Sequence, residues 1–160
     1  MTISMRRVRP DDSDLLKRVR LAALLDTPSA FASTYTAESQ ATDERWAVLA
    51  DERSAGSDHA TFFAMDGDDV VGLVGGHRVD AGTVHLVSMW TDPAARGRGV
   101  GALLVNVVVG WAAGAAVELW VTRGNDAAHR LYERCGFVET GDFQMLPSDP
   151  CKDEVRMRLA

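Results

Sequence analysis

Residues 99–117 carry no charged side chain, and this single feature restricts the fold more than any other. The run approaches the ~20 residues that a helix needs to cross a bilayer. Yet Gly99, Gly101, Gly110, Gly114 and Asn106 interrupt it, and it leads directly into a strand-like segment at 117–121. A helix that is apolar nearly all round is explained more simply by burial against a sheet. The chain must therefore supply a sheet broad enough to cover it.

The flanking residues supply one. Residues 3–8 begin with β-branched and apolar side chains and stop at Pro10, which predicts a first strand. Asp11, Asp12 and Ser13 offer N-caps, and Leu15, Leu16, Val19, Ala22 and Ala23 recur at helical spacing. That helix should end before Pro28. Residues 39–50 predict a second helix with Trp46 and Leu49 on one face. Residues 60–65, 70–79 and 83–91 predict three strands, joined by turns at Asp66-Gly67-Asp68-Asp69 and Asp80-Ala81-Gly82. Such short turns make neighbouring strands antiparallel. Beyond them come a loop at 92–97, a helix at 98–113, a strand at 118–121, a helix at 126–134 and a strand at 137–139. A loop with Pro147 and Pro150 and a last strand at 154–159 close the order. The crossover through the uncharged helix makes its two flanking strands parallel. The expected fold is α/β, more fully α+β: one domain over 1–160, with a mixed, mostly antiparallel twisted sheet of about seven strands and about four helices.

Composition narrows the function classes. In 160 residues, 46% are apolar and 25% charged, ordinary values for a globular chain that buries a core. The formal net charge of -6 argues against non-specific nucleic-acid binding, which leans on Lys and Arg facing phosphate. Cys135 and Cys151 are too few for a disulfide framework and lack metal-ligand spacing, so no metal is expected. Residues 1–9 are charged and lack the apolar region of a signal peptide. A cytoplasmic protein with no membrane partner is the expectation.

The chemistry concentrates at Thr91-Asp-Pro-Ala-Ala-Arg96-Gly97-Arg98-Gly99-Val100-Gly101, between a predicted strand and a helix N-terminus. Glycines at alternate positions let backbone N–H groups face one centre. The helix adds unsatisfied donors and the positive end of its dipole. The result suits a phosphate, with Arg96 and Arg98 adding charge. Gly97-x-Gly99-x-x-Ala102 also fits a relaxed dinucleotide pattern, with Glu118 at the distance of a ribose-binding acid. Against that oxidoreductase reading stand the longer loop through Pro93 and the antiparallel strands upstream, since dinucleotide folds repeat parallel βαβ units.

Pro93-x-x-Arg96-Gly97-x-Gly99-x-Gly101 resembles the coenzyme A pyrophosphate loop of the GNAT superfamily of N-acetyltransferases. Asn125-x-x-Ala128-x-x-x-Tyr132-x-x-x-Gly136-Phe137 resembles that family's second signature. The opening Arg20-Leu21-x-Ala23-Leu24…Pro28-x-Ala30-Phe31 is similar to a bacterial branch whose acceptors are mostly unassigned. The resemblance implies an enzyme, an acyltransferase that moves the acetyl group of acetyl-CoA to a primary amine by direct attack in a ternary complex. It implies a sheet splayed between its fourth and fifth strands. It implies that Met89, Trp90 and Thr91 pair with the pantetheine arm, Thr91 replacing the usual Val. Arg96, Gly97, Arg98, Gly99, Val100, Gly101 and Ala102 would hold the pyrophosphate, and Asn125 the pantetheine. Tyr132 would protonate the departing thiolate. His85 stands on the strand where many relatives carry a basic Glu, and would take the amine's proton. His77, Glu38 and Glu118 are weaker candidates for that base, and Ser88 would only relay through water. Phe31, in the loop between the first two helices, would line the acceptor cleft by the same resemblance, with core packing as its other reading. A small amine is the expected partner, and the family allows a homodimer. A non-catalytic acetyl-CoA-binding sensor remains the alternative.

Overall fold

A computed structural model describes residues 2–160. Seven strands form one sheet in the order β1-β2-β3-β4-β5-β7-β6. The strands are β1 (Ile3–Arg7), β2 (His59–Asp66), β3 (Asp69–Asp80), β4 (Thr83–Thr91), β5 (Ala116–Thr122), β6 (Phe137–Leu146) and β7 (Asp149–Leu159). Five α-helices accompany them: α1 (Ser13–Asp26), α2 (Tyr35–Ser39), α3 (Asp43–Ser54), α4 (Val100–Ala112) and α5 (Asp126–Arg134). Only the β4–β5 pair is parallel, and every other neighbour runs antiparallel. The mixed, mostly antiparallel sheet is as expected. Repeated parallel βαβ units are absent among the described residues, which removes the basis of the dinucleotide-fold reading.

Strand alternation sends successive side chains to opposite faces, so the sheet has two cores. On one face, Leu104, Val105 and Val108 of α4 pack with Ala60, Phe62, Val74, Val84, Leu119 and Phe137. One face of the uncharged helix is thus buried on the sheet, each fully covered Leu or Val contributing about 1.5–3 kcal/mol, while Leu103 on the other face is 40% exposed. No described helix is long and apolar enough to cross a membrane. On the other face, Leu16, Val19, Ala23 and Leu24 of α1 and Trp46 and Ala50 of α3 pack with Phe63, Leu73 and Trp90.

Two elements differ from the sequence reading. The helix expected at 39–50 starts only at Asp43 and runs on to Ser54 as α3, and a separate short helix, α2, precedes it. The break comes where Thr42 turns extended and its hydroxyl accepts a hydrogen bond from the Arg45 N–H at 3.1 Å, capping α3. The strand expected at 137–139 runs on to Leu146 and forms a hairpin with β7. It is one of the two edge strands, and its residues between Phe137 and Leu146 are all exposed. No buried face imposes alternation there, so the hydrophobic pattern gave no signal.

The fourth strand is bent where the site forms. Leu73 pairs with Trp90 and Gly75 with Val87, so Ser88 and Met89 face a single residue of β3. Ser88 takes φ of 59°, which marks this β-bulge. Past it, β4 and β5 separate: their pairing covers only Thr83–Ala116, Val84–Val117 and His85–Glu118. The expected splay between the fourth and fifth strands is present.

Candidate active site

The loop after β4 opens with Pro93 in a short 3-10 turn, whose N-cap Asp92 accepts a hydrogen bond from the Ala94 N–H at 2.9 Å. Gly97 and Gly99 then adopt φ of 81° and 79°. This left-handed region is open to glycine at little cost. A Cβ at either position would meet nothing within 4 Å, so both backbones border open space at the α4 N-terminus. Gly101 serves differently. A Cβ there would lie 2.7 Å from Leu131 Cδ2, so its glycine permits α4 to touch α5.

A groove of about 610 Å³ runs along this loop, lined by Met89, Trp90, Thr91, Arg96, Gly97 and the α4 start from Gly99 through Ala102. Asn125, Ala128 and Leu131 form its α5 wall. Arg96 lies in this lining but its guanidinium is paired with Asp26, and its Nε donates to the Thr91 carbonyl at 3.1 Å. Arg98 turns away. It pairs with Asp66 at 3.6 Å and lines a neighbouring cleft. Its side chain is thus placed apart from the groove that the sequence had it line.

A smaller cavity of about 70 Å³ occupies the opening between β4 and β5. Met89, Asn125 and Ala128 line both spaces, so the groove continues into the opening. Tyr132 borders this cavity while its side chain is buried at 5% exposure. Burial pushes the phenol well above its ordinary range, so it stays protonated at physiological pH. Asn125 caps α5, its side-chain oxygen accepting from the Ala128 N–H at 3.3 Å.

His85 sits at the last β4–β5 pair, with Nε2 3.7 Å from Glu118 Oε1. Burial lowers its pKa below the usual imidazole value, outweighing the opposite pull of Glu118. His59, His77, His85, Glu118 and Arg158 occupy consecutive paired positions across β2, β3, β4, β5 and β7. His59 and His77 stack with ring centroids 4.5 Å apart. No group of three or more His, Cys, Asp or Glu side chains among the described residues is arranged to hold a metal ion.

Phe31 does not line either space. It is 3% exposed, lies in the α1–α3 core, and its ring carries the Arg20 guanidinium at 4.8 Å. Burial opposes ionisation of Glu38, but Arg20 outweighs it and holds the carboxyl below its usual range. Sequence reasoning missed Asp26, which receives both Trp90 Nε1 at 3.0 Å and Arg96. Its only local signal was an acid at a helix end, where the dipole disfavours one.

The acetyltransferase (GNAT) family matches residues 22–137, and the chain belongs to that family. It is 34% identical to the N-alpha-acetyltransferase RimI of Mycobacterium tuberculosis over 105 residues, 62% of this chain and 65% of that protein. It is 48% identical over 60 residues to the mycothiol acetyltransferase of Mycobacteroides abscessus, 36% of this chain and 20% of that protein. The matches thus span less than two thirds of either relative. In fold, it is similar to yncA of Salmonella typhimurium, solved with its cofactor acetyl-CoA. The TM-score is 0.79 at 18% identity, covering 99% of this chain and 94% of that one.

Proposed function

We propose that the chain is an acetyl-CoA-dependent N-acetyltransferase that moves an acetyl group to a primary amine by direct attack. One observation carries this reading: the glycine-lined groove at the α4 N-terminus leads into the β4–β5 opening, and Tyr132 borders that opening. The groove has the chemistry that coenzyme A needs. Gly97 and Gly99 leave room for pyrophosphate oxygens, and first-turn N–H groups of α4 supply donors. The β5-side backbone of β4 beyond His85 has no strand partner and suits the amides of pantetheine.

In this reading the amine reaches the opening from the α1–α3 side of the sheet. His85, kept neutral by burial, accepts the ammonium proton through water, with Glu118 orienting the ring. Glu38 is a weaker base, since Arg20 already stabilises its anion. The amine nitrogen bonds to the thioester carbonyl carbon. A backbone N–H at Met89 or Trp90 stabilises the negative charge on the carbonyl oxygen. The C–S bond breaks, Tyr132 gives its proton to the sulfur, and the proton that the nitrogen sheds as the amide forms returns to the phenol. Holding both reactants in line supplies much of the acceleration. The two free thiols, Cys135 and Cys151, fit a reducing cytoplasm of a bacterial cell.

The test is calorimetric titration with acetyl-CoA, followed by free-thiol release with a panel of primary amines. Binding with amine-dependent release is expected. Binding without release from any amine would favour the sensor alternative, and no binding would overturn the assignment.

A further inference from the structure

On the face opposite α4, a second cavity of about 360 Å³ lies between the sheet and the α1, α2 and α3 helices. Arg20, Glu38, Arg45, Trp46, Arg53 and Ser88 border it. In a chain of net charge -6, three guanidinium groups here meet one carboxylate. Glu38 is committed: its two oxygens accept from Arg20 Nε at 2.8 Å and Nη2 at 2.9 Å. Arg20 Nη1 donates to Ser88 Oγ at 2.9 Å, and its face rests on Phe31. Arg20 is therefore fixed at three nitrogens and acts as a rigid wall.

The remaining donors are the informative ones. Trp46 Nε1 and Arg53 Nη1 are buried and have no hydrogen-bond partner. Trp46 is 3% exposed. Buried polar groups are nearly always paired, and an orphan costs its full desolvation. Both orphans are donors only, so what satisfies them must be an acceptor. Burial lowers the Arg53 pKa, and the nearby Arg45 and Arg20 push the same way, so the carboxylates of Glu52 and Glu38 offset the cost only in part. Arg45, at the exposed rim, adds another cation.

Ser88 connects this cavity to the chemistry. It stands at the bulge, bordering this space on one side and the Tyr132 opening on the other. We infer that this cavity holds the carboxylate of the acceptor, so that the substrate is a small amine carrying a carboxylate, such as an amino acid. The inference rests on the proposed acetyl transfer. The carboxylate seats between Arg53, Arg45 and the Trp46 indole N–H, and the amine passes Ser88 toward the β4–β5 opening. A polyamine, cationic at both ends, is refused by the same guanidinium groups.

Matched pairs of amines test it: β-alanine against ethylamine, 4-aminobutyrate against propylamine, and 6-aminohexanoate against pentylamine. Direct calorimetric titration into the full chain comes first, because it needs no turnover. At least one carboxylated member is expected to bind tenfold or more tightly than its partner, as for loss of a charged hydrogen bond. Its kcat/KM with acetyl-CoA should show the same preference. Arg45→Gln and Arg53→Gln should each cut the preference about tenfold. Arg45 is exposed, so the first variant keeps the fold even where the second does not. Equal binding within every pair, or a preference that survives both variants, overturns the carboxylate site while leaving acetyl transfer intact. Carboxylate binding without thiol release would instead fail the transferase reading and, with it, the acceptor assignment.

Discussion

Trp90 Nε1 donates to Asp26 Oδ2 at 3.0 Å, tying the end of β4 to the last turn of α1. Arg96 reaches the same oxygen from the glycine loop. One carboxylate thus holds a strand, a helix and a loop together. Asp26→Leu removes the acceptor and leaves a largely buried indole N–H unpaired. It should destabilise the fold by about 1–2 kcal/mol in urea unfolding. Asp26→Asn keeps an acceptor and should cost well under half as much. Equal losses in the two variants would show that the charge, not the indole contact, matters.

The loop glycines separate by mechanism. Gly99→Val combined with Arg96→Ala should raise the Kd for coenzyme A at least tenfold, because a branched side chain disfavours φ of 79° and blocks backbone approach. Gly101→Val should instead act on stability. Its Cβ would press on Leu131, an overpacking cost of about 1–3 kcal/mol. Leu131→Ala in the same chain should recover part of that loss. No recovery in the double-mutant cycle would refute the α4–α5 contact as the reason for glycine.

Tyr132→Phe keeps the buried ring and removes only the proton donor. A fall in kcat of tenfold or more is expected with acetyl-CoA affinity unchanged, the pattern of a contact made in the transition state. Burial holds the phenol above its ordinary range, so no falling limb from Tyr132 should enter the pH–rate profile below pH 10. Parent-like kcat, with chemistry shown to limit the rate, would return Tyr132 to the core.

His85 has a depressed pKa in the folded state, and its sign fixes two outcomes. The folded state binds fewer protons than the unfolded one as pH falls through the imidazole range. Its contribution to stability is therefore present above the unfolded value of ~6.5 and declines as pH drops below it. Stability should fall less steeply between pH 7 and 5 in His85→Gln than in the parent. Catalysis should follow the same group: kcat/KM rises with pH through a limb that His85→Gln removes, tested with two acceptors of different pKa. A limb that tracks the acceptor and survives the substitution would free His85 of the base role.

Cys135 and Cys151 should differ in reactivity. Burial raises the Cys135 thiol, whereas Cys151 is exposed. Iodoacetamide at pH 8 should modify Cys151 first. Since Cys135 borders the groove, coenzyme A should slow its alkylation further, while leaving Cys151 unchanged.

Local signals in the sequence make part of the fold and of the groove legible. The glycine loop was legible because positive φ and a helix start leave marks within a few residues. The β2–β3 turn was legible for the same reason, with Gly67 at φ of 61°. The α4 helix was legible because a run without charge has few places to go. The length of β6 was not, because an exposed edge strand carries no alternation. The meeting of Arg20, Glu38 and Ser88 joins positions up to 68 residues apart, and nothing local encodes it. Phe31 was a cleft residue by family resemblance alone, with packing as the other reading; an aromatic in a loop has no periodicity to show that it is buried under Arg20.

The β4–β5 contact, limited to three residue pairs, also has a mechanical meaning. It divides the sheet into two leaves, β1 to β4 and β5 to β7, stitched at one end and bridged by α4. A donor bonded along the free edge of β4 would fill the seam and brace one leaf against the other. The protein would then be stiffest when loaded and would slacken on each release of the thiol product. Amide hydrogen exchange along β4 and β5 should follow that rhythm, so each turnover would flex the sheet itself.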